Sequence, residues 1–463
     1  MCSEEAEKMK VRKIAALALG AVLTLAAVAG CAQDQEPETK YYGENYRPEL
    51  SQVDRSHFYG AMYIAYEMDR WNNLPYELGV QTLKNMGVQS IRLDLFAQEC
   101  FPTMSAARIE RNETEIAKVH SIIAAMQDAG MLVIGCVNPN WVEGMGFQGE
   151  NVPMPRNDRE GSEYQAWLST YQRNWQTVVA EFSELTYFEI GNETNQGGAY
   201  LDGSGNYDML EKADIYTDML YAASSGMHAA NKNAVSIMGG LAEFVKLGTS
   251  VNDAYITFLT RIYDNIASGA WPSMYTDDYF QAVAWHPYVF HDWDADYFVE
   301  ENQRVYDLIK EREGKDKKVF FTEIGWSDKM VVQTLPGKTV QETIAVWLTD
   351  MYQTVKERMP YVESVQVFRA FNDVRDYNWA GESSMGAYGL FYDANWEIFK
   401  GSEENLRETD PATGKCVVPG TPKPAAVAYQ QMTGATGSLN LLRDRAEAAM
   451  KELGWWDELV SLM

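Results

Sequence analysis

The 463-residue sequence is poor in cysteine, histidine and positive charge. Its five cysteines, Cys2, Cys31, Cys100, Cys136 and Cys416, include no CxxC pair, which excludes zinc-ribbon and thioredoxin-like sites. Cys136 lies in the apolar run MLVIGCV and reads as a small buried hydrophobe, while a Cys100–Cys416 pairing is left open. The five histidines form no metal-ligand spacing, and no metal or organic cofactor is expected. Only 39 basic residues face 66 acidic ones, a formal charge of −27, which argues against nucleic acid or an anionic membrane surface as a partner. No G-x-G-x-x-G follows the first strand-like segment, so the dinucleotide-binding fingerprint is absent as well. What remains is apolar and aromatic. With 46% hydrophobic residues, 13 Trp and 27 Tyr, the chain can fill a large core and offer flat ring surfaces to an uncharged ligand.

Residues 8–31, KMKVRKIAALALGAVLTLAAVAGC, run from a basic cluster through an apolar stretch to small residues, which is the pattern of a signal peptide. A plain secretory signal cut near Ala32 and a retained anchor are the alternatives, the latter with an apolar run short for a span. Residues 32–56 are polar and aperiodic and read as a flexible tether.

From residue 57 to 435, eight β-branched and aromatic runs alternate with segments of 3.6-residue periodicity. The predicted strands are 57–64, 90–96, 131–137, 187–193, 234–242, 279–288, 317–326 and 362–373. The predicted helices are 75–87, 113–130, 162–185, 208–232, 251–269, 294–313, 340–359 and 423–432. Eight such units predict an α/β fold, a closed (β/α)8 TIM barrel, with an enlarged loop after strand eight (374–422) and an extra C-terminal helix packed on the barrel (436–463). Post-strand insertions at 97–112, 138–161, 194–207 and 374–422 fall on the side where a barrel builds its active site.

Two strand ends carry chemistry. Strand four ends in IGNET, with Asn192 and Glu193, and strand seven in FTEIGW, with Glu323 and Trp326. With the two strands taken as opposed across the barrel, both carboxylates reach one ligand. A pair of carboxylates is what glycosidic-bond cleavage requires: one protonated to expel the leaving sugar, the other ionised to attack the anomeric carbon. Glu189, with the same strand parity as Glu193 but deeper, reads as a buried paired carboxylate, and Glu342 as helix-face solvation.

This arrangement resembles clan A glycoside hydrolases, retaining (β/α)8 enzymes, over roughly residues 57–435. It is closest to families 5 and 39: AWHPY and the KPA-type start of the eighth helix are similar to theirs. GNETN is similar to the family 53 galactanases and TEIGW to family 17 glucanases. The resemblance implies Glu193 as general acid/base, Glu323 as nucleophile and Asn192 as a ligand of the sugar 2-hydroxyl. It further implies Tyr288 near the nucleophile, His286 at the first negative subsite and Arg92 supporting the nucleophile, with Asp94 as its ion-pair partner or a sugar ligand. A clan platform Trp ending strand eight is replaced by FRAFND, so Phe371 or Trp379 is expected to serve. Trp141, Trp285 and Trp326 are further candidates for stacking on a pyranose, with core packing as the bland alternative. VAGC, residues 28–31, resembles a bacterial lipobox and implies lipidation at Cys31.

The expected function is a retaining β-glycosidase acting on a β-glycan or oligosaccharide outside the cell, lipid-anchored to a bacterial membrane, with no obligate protein partner. A non-catalytic cell-surface glycan-binding lipoprotein on the same barrel is the competing class, and the sequence shows no lost carboxylate in its favour.

Overall fold

The computed structural model describes residues 52–71, 74–95, 97–137, 159–195, 208–245, 254–289, 292–329, 331, 333–373, 385–399 and 408–463. The expected signal peptide (1–31), with Cys31, and the expected tether up to residue 51 lie outside the described residues, as do Trp141 and Trp379. The last residues of that tether are docked. The Arg55 guanidinium donates to the carbonyls of Val355, Lys356 and Met359 at the end of a barrel helix.

Eight parallel strands close into a barrel: β1 (Tyr59–Met62), β2 (Ser90–Asp94), β3 (Leu132–Val137), β4 (Tyr187–Asn192), β5 (Val235–Val245), β6 (Ala282–Val289), β7 (Lys318–Ile324) and β8 (Val362–Val367). Their order round the ring is β1-β8-β7-β6-β5-β4-β3-β2. The predicted (β/α)8 architecture is therefore the observed one, although β4 and β7 are separated by β5 and β6 and stand one place short of diametrically opposed. Among the described residues eight longer helices, besides short ones at Ala65–Trp71 and Ala97–Cys100, follow the strands: α1 (Tyr76–Met86), α2 (Glu113–Asp128), α3 (Ser162–Glu181), α4 (Met209–Ala230), α5 (Ala254–Ala267), α6 (Ala295–Glu313), α7 (Val340–Arg358) and α8 (Pro424–Thr433).

Local chemistry explains several of their ends. Asp208 with Glu211, and Thr339 with Glu342, close capping boxes at the starts of α4 and α7. Glu342 is thus a cap, and the Thr339 backbone N–H holds its carboxyl below the ordinary value. Pro424 opens α8 and Gly434, in the left-handed region, ends it. The expected single C-terminal helix is two, α9 (Leu441–Glu452) and α10 (Trp456–Leu462), parted at Gly454 with φ of 71°. Their Ala446, Met450 and Leu459 pack with Trp396, Phe399 and Val418 of the loop after β8, while Leu442 of α9 joins the main core of the barrel.

Inside the barrel the two-residue period of the strands sorts side chains into layers. An apolar layer contains Ile134, Ile237, Ala282, Ala284 and Phe320, with Leu132 and Tyr187 against it. On the β1/β8 side the interior is polar instead: Ser90, Ser364 and Gln366 bond one another, and Gly60 leaves the space Gln366 occupies. One pleat further along, toward the C-terminal ends, Ser90 gives way to Arg92, Tyr187 to Glu189, Ala284 to His286 and Phe320 to Thr322. Charged side chains thus line the C-terminal end of the barrel, and a separate buried ion pair, Lys318 with Glu363, lies at the N-terminal ends of β7 and β8.

Candidate active site

Arg92 stands at the centre of this polar layer, 1% exposed. Its Nε donates to Glu189 Oε2 at 2.5 Å, its Nη1 to Glu323 Oε1 at 2.6 Å and its Nη2 to Asn192 Oδ1 at 2.7 Å. The sulfur atoms of Met62 and Cys136 take the remaining directions, at 3.6 and 3.3 Å. The guanidinium is therefore filled without Asp94, and the expected Arg92–Asp94 pairing does not form; Asp94 ends β2 half-buried. Glu323 is held from two sides, because the Tyr288 hydroxyl donates to its Oε2 at 2.9 Å. Burial and then the Glu323 charge push the Tyr288 hydroxyl well above its ordinary pKa, so it stays a donor.

Strict alternation would send Thr322 and Glu323 to opposite faces, yet both face inward. The pairing of β7 with β8 shifts between Phe321 and Ile324, and this irregularity turns Glu323 into the barrel. On β4 the same result comes from backbone in the left-handed region: Gly191 has φ of 88° and Glu193 of 50°. A non-glycine residue pays conformational strain there, a feature concentrated at functional sites. The Glu193 N–H is fixed on Gly240 O at 2.8 Å, and Asn195 locks the following turn through paired hydrogen bonds to the Ala242 backbone.

His286, fully buried, lies between the two glutamates. Its Nδ1 is 3.0 Å from Glu193 Oε1 and 3.6 Å from Glu323 Oε2, and its Nε2 is 3.1 Å from Thr322 Oγ1. Burial alone would lower its pKa, but the Glu323 charge and the hydrogen bond to Glu193 outweigh this and raise it. The ring fits because Gly240 has no side chain; a Cβ there would come 2.1 Å from Nε2. Oxygen and nitrogen atoms of Glu193, His286 and Glu323 all lie within 4.8 Å of one another. A cation at that point would face the Arg92 guanidinium and a Glu323 carboxylate already bonded through both oxygens, so the set does not fit a resident metal.

The glutamates differ in access. The Glu193 side chain is 26% exposed and Glu323 7%. Around Glu323, Met62, Tyr288, Phe368 and Tyr388 form an aromatic-lined cluster. Phe368 follows directly on β8 and packs edge-to-face on Tyr288 and Tyr388, with centroids 6.4 and 5.4 Å apart. Phe371 or Trp379 was expected to line the site here. Phe371 instead packs in the main core against Tyr63 and Phe391, because the strand ends at Val367 and not at Asp373. Trp285 points to the helix layer, against Phe321 and Tyr255 with its Nε1–H on Asn302, and Trp326 packs between Trp293 and Trp347. Neither joins the carboxylates. Thr322, Phe368 and Tyr388 were not anticipated. Phe368 is readable by parity, two residues beyond the inward Gln366, whereas Tyr388 arrives on the long loop with no local signal. Glu189 is the buried paired carboxylate expected, and Cys100, Cys136 and Cys416 are free thiols.

Such a barrel, with a carboxylate at the ends of β4 and β7, has the fold of clan A-type glycosidases. No protein-family model and no curated protein matches the chain. Among solved structures, a family 39 glycoside hydrolase from Bacteroides cellulosilyticus WH2 is similar with a TM-score of 0.52 and 14% identity, covering 83% of this chain and 65% of that one. The chain thus spans just under two thirds of that relative's length. A family 1 β-glucosidase from Thermotoga maritima gives a TM-score of 0.53 and 12% identity, covering 84% of this chain and 100% of that one. A glucosidase from Croceicoccus marinus gives 0.51 and 12%, covering 82% and 68%. At these identities the likeness establishes the fold.

Proposed function

We propose that this chain is a retaining β-glycoside hydrolase that cleaves β-linked glycans by double displacement, with Glu193 as acid/base and Glu323 as nucleophile. The observation that carries this is the convergence and asymmetry of the pair: one oxygen of each carboxylate lies within 4.8 Å of the other, both beside His286 Nδ1, so the two can meet at one bond. Glu323, bonded by a guanidinium and a phenol, is arranged as a fixed anion for attack on the anomeric carbon. Glu193, more open and bonded to an imidazole, is arranged to exchange a proton. Glu323 forms the bond to the anomeric carbon as Glu193 protonates the departing oxygen; Glu193 then removes a proton from the water that displaces Glu323.

Asn192, half-buried and held by Arg92, is suited to meet the sugar 2-hydroxyl, and Phe368 with Tyr388 to meet an apolar sugar face. The signal-like residues 8–31, ending in VAGC, support export and lipidation at Cys31, with the barrel outside the cell and a polysaccharide or oligosaccharide as its substrate. Among the described residues no helix is long and apolar enough to cross a membrane. The test is a panel of β-mannan, galactan, xylan and glucan polymers with aryl β-glycosides. The wild type is expected to turn over at least one, Glu193→Gln to lose about 10²–10⁴-fold on unactivated substrates, and Glu323→Ala to fall to background. Equal turnover by Glu323→Ala would overturn the nucleophile assignment, and binding without turnover by the wild type would favour a glycan-binding protein.

A further inference from the structure

The hydrogen-bond chain behind Glu193 fixes where protons sit. Glu189 is fully buried, and its Oε1 accepts from the Gly240 N–H and from Thr322 Oγ1, each at 2.8 Å. Its Oε2 faces Arg92 Nε, so the carboxylate is ion-paired and accepts on both oxygens. A threonine hydroxyl has one proton to give. With that proton directed to Glu189, Thr322 Oγ1 can only accept from its other neighbour, His286 Nε2, 3.1 Å away. The imidazole therefore keeps a proton on Nε2 in every state, and its Nδ1 is the position that gains or loses one, 3.0 Å from Glu193 Oε1.

We propose that Glu189 and Thr322 are positioning residues that lock His286 in the Nε2–H tautomer, so that one proton is shared between His286 Nδ1 and Glu193 and is held ready for the leaving group. This rests on the reading of Glu193 as the acid. On glycosidic cleavage the shared proton passes through Glu193 to the departing oxygen, as that oxygen's bond to the anomeric carbon breaks and the Glu323 ester forms. On hydrolysis of the ester, the proton removed from water returns to the Glu193–His286 pair, closing the balance. The groups facing His286 are consistent with this: Glu193 from β4, Thr322 and Glu323 from β7, Arg92 from β2, Tyr288 on its own strand and the Gly240 backbone from β5.

Two measurements on the full chain test it. In protein labelled with ¹⁵N-histidine, the His286 signals are identified by their loss in His286→Asn. The wild type should keep Nε2 protonated throughout a pH titration while Nδ1 titrates. Thr322→Val should release this preference and Thr322→Ser restore it. A neutral ring protonated on Nδ1, or a Thr322→Val spectrum with the wild-type tautomer, would overturn the proposal. The second readout is leaving-group dependence. Thr322→Val should lose at least about tenfold more kcat/KM on an alkyl β-glycoside, which needs the proton, than on a dinitrophenyl β-glycoside, which does not. An equal loss on both, or none, would mean that Thr322 only supports the fold. A wild type inactive on both would remove the assignment of Glu193 as acid, while the tautomer is still judged by the ¹⁵N spectrum.

Discussion

Arg92 keeps a charge in an almost dry interior because two carboxylates and an amide oxygen meet it there, and each of those partners is itself tied to the site. Removing one partner of such a buried pair leaves the other uncompensated, which is why these residues act as a unit. His286 belongs to the same unit and gives it a pH dependence. Its pKa in the folded protein is raised above the unfolded value of about 6.5. The stabilisation it contributes is therefore complete below that value and lost as pH climbs through the raised one. The difference in melting temperature between the wild type and His286→Asn should be largest near pH 6 and shrink toward pH 9. A difference that widens with pH would show that the ring is neutral in the folded state.

At the level of the elements, the site depends on places where regular strand geometry fails. The β7 irregularity turns Glu323 inward, left-handed backbone at Gly191 and Glu193 turns the end of β4, and β5 shifts register between Met238 and Leu241 beside Gly240. Gly240 serves three contacts at once: its N–H on Glu189, its carbonyl on the Glu193 N–H and its bare Cα beside His286. In Gly240→Ala the new methyl would lie 2.1 Å from His286 Nε2 and 2.6 Å from Thr322 Oγ1, both fully buried and unable to withdraw without moving their partners. A displacement of about 1 Å at reacting groups costs about 10²-fold in rate. That loss is expected in kcat/KM, with the circular dichroism of the barrel unchanged, and wild-type activity would contradict the contact. These irregularities also mark the limit of what sequence patterns reveal. Alternation correctly groups Arg92, Glu189, His286 and Tyr288 on the inner face, and by the same rule it sends Trp285 outward. It cannot announce that Thr322 and Glu323, adjacent in sequence, share a face, because the register shift depends on pairing with β8.

For the molecule as a whole, the alternation of strand and helix patterns was enough to read the closed barrel and the face that bears the site. The wall built by the loop after β8 was not readable in the same way, since Tyr388 reaches Tyr288 and Phe368 through tertiary packing and not through any local period. That loop is supported from behind by α9 and α10 through Trp396, Phe399, Val418, Met450 and Leu459. Met450, fully buried, is the clearest point at which to probe this support. Met450→Ala should cost about 2–5 kcal/mol, seen in urea denaturation as a lower midpoint or an early transition confined to the C-terminal part. An unchanged curve would mean that these helices do not stabilise the loop.

The central claim, that Glu193 and Glu323 act as a retaining pair, predicts the configuration of the product. The most direct measurement is ¹H NMR of the first anomer released from any β-glycoside the protein turns over, recorded before mutarotation. Double displacement through Glu323 predicts that the β-anomer appears first; release of the α-anomer would contradict the account.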